Sequence, residues 1–223
     1  LAKDKRIRQA LELSIDRDAV NQVVFQGEFM VGNQWVPPGN PWYVKAVPTP
    51  KRDVAKAKEL LKAAGVPNPT FTLMTPTGNE VQQVAQVIQA MIKEAGFDMK
   101  IQQVEFATSL QQAQKGDFDA YLTGWSGRVD PDGNLTAFIA CDGGQNDGKF
   151  CDQGVEAALK DTRSTSNFEQ RMTAYEKIAK IHADENPRTY LYHPTWFWAM
   201  NPKVAGFVPV PDGMIRLAGM KMN

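Results

Sequence analysis

The chain has 223 residues, and its 25 Lys+Arg balance 25 Asp+Glu, so the formal net charge is zero. Hydrophobic residues make up 43% and aromatic residues 9%, enough apolar surface to build a core and to exclude a disordered chain. No basic excess marks nucleic acid as a partner, and no apolar run reaches the roughly 18 residues of a membrane span.

In chain order, the opening stretch predicts a helix broken into two. Ile7, Ala10, Leu11 and Ser14 keep helical spacing, and Asp16 is placed to cap a second helix carrying Val20, Val23 and Val24. Residues 27–52, rich in proline and holding Trp35 and Trp42, read as an irregular but ordered loop. Residues 53–64 form an amphipathic helix, with Asp53 as its cap, Gly65 closing it, and Val54, Ala57, Leu60, Leu61 and Ala64 on its apolar face.

The middle of the chain alternates. A strand over 70–75 leads through the turn Pro76-Thr77-Gly78-Asn79 into a helix over 80–95, which Gly96 ends. A strand at 97–106, a short helix at about 108–115 and a strand at 118–124 follow. Strand–helix–strand–helix–strand is the pattern of an α/β layer, and the right-handed crossover rule places the 80–95 helix on one face of the sheet. A loop over 125–153 precedes helices at about 154–162 and 167–184. The second carries Phe168, Met172, Tyr175, Ile178, Ala179 and His182 on one side, and Pro187 stops it. Residues 190–193 are a strand candidate, and 201–223 read as an extended tail that needs another surface to lie on.

The chemistry is mostly one of exclusion. The pattern holds no G-x-S-x-G elbow, P-loop, G-x-G-x-x-G or H-E-x-x-H. Its two histidines read as structural: His182 as a surface or half-buried helix residue, His193 as a hydrogen-bonded core residue among aromatics. Asp130-Pro131-Asp132-Gly133-Asn134 fails the EF-hand pattern, which needs Gly where Leu135 stands and Glu where Cys141 stands, so it reads as a turn. No enzyme, metal or cofactor is expected. Cys141 and Cys151 flank a Gly/Asn/Asp-rich loop that lets them meet as a disulfide in an oxidising compartment; two free thiols are the other reading. Gly124-Trp125-Ser126-Gly127-Arg128-Val129-Asp130 follows a strand at its carboxyl end, where open α/β sheets hold ligands. Trp125 offers an aromatic wall there and Arg128 a fork for a carboxylate or phosphate. The alternative is a core Trp125 and an exposed loop charge.

Several stretches in succession carry a resemblance: DKRIRQALELSIDRDAV, WVPPG, DVAKAKELLKAAG, AGFDMKIQQVEF, GDFDAYLTGWSGRVDPDG, the two-cysteine loop and VAGFVPVPDGMIRL. Together they resemble, over essentially the whole chain, the family-5 extracellular solute-binding proteins of ATP-binding-cassette importers, which bind peptides, dipeptides, glutathione and nickel. The resemblance implies a two-lobed periplasmic-binding-protein fold of type II. Residues 1–200 would form its carboxy-terminal lobe, a mixed sheet with helices on both faces. Residues 201–223 would be a tail returning to an amino-terminal lobe outside this sequence. The implied function is capture of a small peptide-like solute in the periplasm, or tethered outside the membrane, and delivery to a membrane permease. The disulfide fits the family, several of whose members bridge this loop. A second reading of the same lobe is an extracytoplasmic sensor or chaperone-like binding module.

Family dipeptide binders pair the peptide's amino terminus with an Asp just after the Gly-Trp-x-Gly turn; the matching position here is Arg128. They hold the ligand carboxylate with an Arg in the loop after the first strand of this lobe; that loop is Thr75-Pro76-Thr77-Gly78-Asn79-Glu80 here and has none. The reversed sign at Arg128 points to an anionic peptide-like solute, glutathione-like or opine-like. The candidate ligand-binding residues are therefore Trp125, Arg128 and the nearby Asp130, Thr77 and Asn79 from the facing loop, and Trp35 in the proline-rich loop.

Overall fold

Aspartates start the first helices of the computed structural model, which describes residues 3–210 and 212–223. Asp4 accepts from the Arg6 amide at the start of α1 (Lys5–Ser14), and Asp16 accepts from the Ala19 amide at the start of α2 (Arg17–Phe25). Each cap satisfies an amide that a helix start leaves without a partner. A two-residue strand, β1 (Met30–Val31), comes next. Asp53 caps α3 (Val54–Ala63) through the Lys56 amide, and Gly65 turns the chain out at a φ of +74°.

The central layer is β2 (Thr70–Pro76), α4 (Asn79–Lys93), β3 (Asp98–Val104), α5 (Phe106–Lys115) and β4 (Ala120–Tyr121). The strand order is β3-β2-β4, parallel throughout, with Phe71 beside Met99 and Leu73 beside Ala120. The chain crosses outward from β2 to β3 and then back past β2 to β4. Right-handed crossovers in opposite directions put α4 and α5 on opposite faces, as the resemblance implied. Phe71 and Leu73 pack with Val84, Ile88, Ile92 and Phe97 in the first core cluster. Met74, buried and next to Leu73 in sequence, points to the other face, because side chains alternate along a strand.

The rest of the chain is α6 (Asp132–Ile139), α7 (Gln153–Ser164), α8 (Phe168–Glu185), β5 (Tyr192–His193), β6 (Val204–Ala205) and β7 (Lys221–Met222). Antiparallel pairing occurs in two short ribbons, β1 with β5 and β6 with β7, separate from the parallel sheet. A second core cluster joins Leu135, Ile139, Leu159, Tyr175 and Ile178 to Trp35, Val36, Tyr43 and Val44 of the proline-rich loop. That loop is ordered because the buried Gln34 amide bonds both ways across it, donating to the Val44 and Val47 carbonyls and accepting from the Val44 amide.

Three local expectations change. The stretch read as a loop over 125–153 contains α6, which begins inside the DPDG sequence. Pro131 stands at its N-cap, where a missing amide costs nothing, and Asp130 accepts from the Asp132 amide. The loop between the cysteines is built around Asn146, which is 3% exposed, donates to the Ala140 and Phe150 carbonyls and accepts from the Phe150 amide. Cys141 and Cys151 are joined across it as a disulfide. His182 is buried rather than half-buried. Burial pushes its pKa down to about 4, and the Arg188 charge adds to the effect. His193, expected as a core residue, is half-buried against Gly32, where an added Cβ would lie 2.7 Å from its ring. Its Nε2 has no partner, and burial holds its pKa at about 4.

Beyond β5 the chain is largely extended and leaves Phe197, Val208, Met214, Ile215 and Leu217 exposed. Its internal contacts include the Trp198–Phe207 ring pair, the β6–β7 ribbon, the Asp212–Arg216 ion pair, and Trp196, whose ring lies so close to Gly213 that a Cβ there would overlap it.

Candidate ligand-binding site

Parallel strands bring their carboxyl ends to one edge, and the loops that leave that edge carry the sequence candidates. Thr77 and Asn79 follow β2, and both are exposed; the Thr77 amide donates to the Val104 carbonyl at the end of β3. Beside β2, β4 ends at Tyr121, the Leu122 amide donates to Met74, and the chain then runs into Trp125 and Arg128. The structure thus places the loops after β2 and β4 on neighbouring strands at the same edge, the usual ligand position of an open α/β sheet. Phe106, just after β3, is exposed at the same edge and was not among the residues singled out from sequence.

Within the 124–130 loop, the Arg128 guanidinium lies over the Trp125 indole, 4.4 Å from the ring centroid. Its Nη1 donates to Ser126 Oγ at 3.0 Å and to the Gly127 carbonyl at 2.6 Å. Both acceptors are neutral, so neither bond offsets the positive charge. Trp125 is 40% exposed, and its ring also meets Phe138 edge-on, with centroids 5.0 Å apart. Gly127 turns the chain at a φ of +77°, a conformation that disfavours any residue with a side chain.

The loop is fastened to α6. Asn134, 6% exposed, accepts from Trp125 Nε1 at 3.1 Å and from the Arg128 amide at 2.7 Å, and donates to the Arg128 carbonyl at 2.9 Å. Gly133 lets the loop come close: a Cβ there would lie 2.9 Å from Arg128 Cβ and Cγ. In the sequence Asn134 figured only as the last residue of the Asp130–Asn134 turn. Its role is invisible there because its partners, two backbone atoms and an indole nitrogen, are brought to it only by the fold.

Asp130 is exposed but already paired, and Trp35 is buried. Asp130 pairs with Arg171 at 2.8 Å, and that bond holds its carboxyl below the usual range. Arg171 also reaches the Tyr175 hydroxyl at 2.9 Å and lies 4.7 Å over Trp42, so Asp130 anchors the loop to α8. Trp35 is 6% exposed and packs toward Tyr175 in the second core, which makes it a packing residue. One further charge is near. Asp212 in the tail is held at about 2, chiefly by its pair with Arg216, and the Arg128 charge contributes to that shift.

The match to known families fits this arrangement. Residues 1–146 match the model of the bacterial extracellular solute-binding proteins, family 5, middle region. The chain belongs to this family. Di/tripeptide-binding protein 1 of Pseudomonas aeruginosa is 30% identical over 217 residues, which is 93% of this chain and 40% of that protein. The oligopeptide-binding protein AppA of Bacillus subtilis is 30% identical over 226 residues, 93% of this chain and 42% of that protein. The structure of AppA in complex with a nonapeptide superposes with a TM-score of 0.85 at 27% identity, covering 100% of this chain and 48% of AppA. A dipeptide-binding protein from Pseudoalteromonas sp. SM9913, in complex with Met-Leu, gives 0.87 at 23% identity, over 99% of this chain and 45% of that protein. The chain therefore spans less than half the length of the relatives it matches, and its fold is that of one part of a family-5 protein. Members of this family bind solutes and are not enzymes. Among the described residues no helix is long and apolar enough to cross a membrane.

Proposed function

We propose that this chain is the carboxy-terminal lobe of a periplasmic solute-binding protein that captures a peptide or peptide-like solute and delivers it to an ABC permease. Residues 1–200 form the lobe. The apolar tail of 201–223 lies on an amino-terminal lobe, and the two lobes close over the ligand, which shifts an open–closed equilibrium without covalent chemistry. The peptides bound by AppA and by the Pseudoalteromonas protein support the ligand class.

The observation that carries the finer reading is the pair of Arg128 and Trp125 at the carboxyl edge of the sheet, a positive charge bonded only to neutral oxygens of its own loop and laid on an aromatic wall. Such a pair suits a ligand with a carboxylate beside a flat or apolar group, so the solute is an anionic peptide, glutathione-like or opine-like. Thr77 and Asn79 supply polar contacts from the neighbouring loop.

The test is a thermal-shift panel on the whole protein with neutral dipeptides, acidic dipeptides, longer peptides, glutathione, opines, nickel chelates and sugars. A ligand that binds only the native state raises the melting temperature. A larger shift with the anionic peptide-like compounds is expected. A shift with sugars or nickel chelates alone would overturn the peptide reading, and a shift confined to neutral peptides would overturn the anionic one.

A further inference from the structure

We infer that Asn134 is the positioning residue of this site, holding Trp125 and Arg128 in the one arrangement that presents charge and ring together; the inference rests on the binding role proposed above. An amide side chain has one accepting oxygen and two donor hydrogens on its nitrogen. The Asn134 oxygen takes the Trp125 Nε1 hydrogen at 3.1 Å and the Arg128 amide at 2.7 Å, and its nitrogen meets the Arg128 carbonyl at 2.9 Å. One side chain thus fixes the indole's free end and both backbone polar atoms of the arginine. Asn134 lies behind Trp125 and Arg128 and acts through them.

Its own position is fixed from behind. It sits in the first turn of α6, between Gly133, which leaves room for Arg128, and Leu135, which is fully buried in the second core. Thr136 bonds the Asp132 carboxylate at 2.7 Å, and Asp130 bonds Arg171, so the turn that carries Asn134 is braced on both sides. The loop can therefore shift relative to Asn134, while Asn134 itself is seated on the core. Neither Asp nor Gln reproduces it: Asp has no donor for the Arg128 carbonyl, and Gln is one methylene too long for a site that is 6% exposed.

The experiment uses the whole protein, with peptide affinity measured by calorimetry on the folded fraction and melting temperature measured in parallel. Asn134→Ala, Arg128→Ala and the double variant form a cycle. The expected result is an affinity loss of about tenfold or more in Asn134→Ala, with a double variant that loses little beyond Arg128→Ala alone, because Asn134 works through the arginine. A purely structural residue would lower the melting temperature, leave the affinity of the folded fraction unchanged and add independently to Arg128→Ala; that result would overturn the inference while leaving the proposed function in place. If Asn134→Ala does not fold, Asn134→Asp takes its place, keeping the accepting oxygen and losing the donor. Wild-type protein that binds no peptide at all would overturn the proposed function, and this inference with it.

Discussion

Arg128 lies over the face of Trp125 at 4.4 Å, so the charge and the aromatic wall of the candidate site are one unit. Stacking costs the guanidinium little hydration, because Arg is weakly hydrated and its edge donors stay free to bond in the ring plane. Arg128→Ala should therefore weaken an acidic peptide at least about tenfold, the size of one lost charge-assisted hydrogen bond of roughly 1.5–3 kcal/mol. A neutral peptide of equal length should lose less. Arg128→Lys should recover only part of the loss, because Lys has no planar fork. Calorimetry with the paired peptides reads the difference, and equal losses for both would remove the charge from the account.

Gly133→Ala probes the same unit from behind. The new Cβ would lie 2.9 Å from Arg128 Cβ and Cγ, inside ordinary contact distance. The loop must move, since α6 is seated on the core. Ligand affinity should fall while the helix remains, because Ala favours a helix interior over Gly by about 1 kcal/mol. Circular dichroism at 222 nm beside a binding isotherm checks both halves.

The disulfide closes a short loop, 10 residues apart in sequence, at the end of α6. In the chain-entropy account such a link stabilises by about 3 kcal/mol at most. Replacing Cys141 and Cys151 together with Ser should lower the unfolding midpoint, and a reducing agent should do the same to wild type. Asn146 would still tie the loop through its bonds to Ala140 and Phe150, so the loss is expected at the lower end. Urea unfolding with and without dithiothreitol measures it.

His182 gives a pH dependence whose sign can be worked out. Its folded pKa is lowered from 6.5 to about 4 by burial, so the folded state binds fewer protons than the unfolded state between those values. Stability from this group is complete above pH 6.5 and is lost as the pH falls toward 4, by about 2 kcal/mol at pH 5. Tyr190, whose ring centroid is 5.3 Å away, stays neutral over this range, so it does not offset the change. His193 carries a shift in the same direction, so a variant lacking only His182 should lose part of the decline. Comparing unfolding at pH 7 and pH 5 for wild type and His182→Leu tests it; an unchanged pH slope would assign the decline elsewhere.

Much of the fold was legible because it is local. The Asp16 restart, the α3 stripe and the β2–α4–β3 alternation each announce themselves within a dozen residues through caps and apolar spacing. What was hidden is long-range or backbone-made. The β1–β5 ribbon pairs Met30 with His193, two residues on each side, too short for any pattern to mark. The start of α6 was hidden by chemistry shared with turns: Asp-Pro-Asp-Gly suits either, and only the burial of Leu135, Phe138 and Ile139 decides for the helix. At the site, Trp125 and Arg128 stood out as residue types. Trp35 stood out for the same reason and proved to be packing, because a tryptophan's type does not say which way it faces. Asn134 was passed over, since a side chain that serves the backbone looks like any other asparagine.

The opening and closing parts of this chain hold each other. Lys5 bonds Asp184 at 2.7 Å, Arg8 donates to the Glu185 carbonyl at 2.8 Å, and Asn186 donates to the Arg8 carbonyl at 2.8 Å. During synthesis, α1 therefore has no partner for its outer side until the ribosome has passed residue 186. Contacts across that span are slow to form, because a long loop must close before they can reward it. Losing the 184–186 turn would strip one side of α1 of its bonds while leaving its apolar packing on α3 in place.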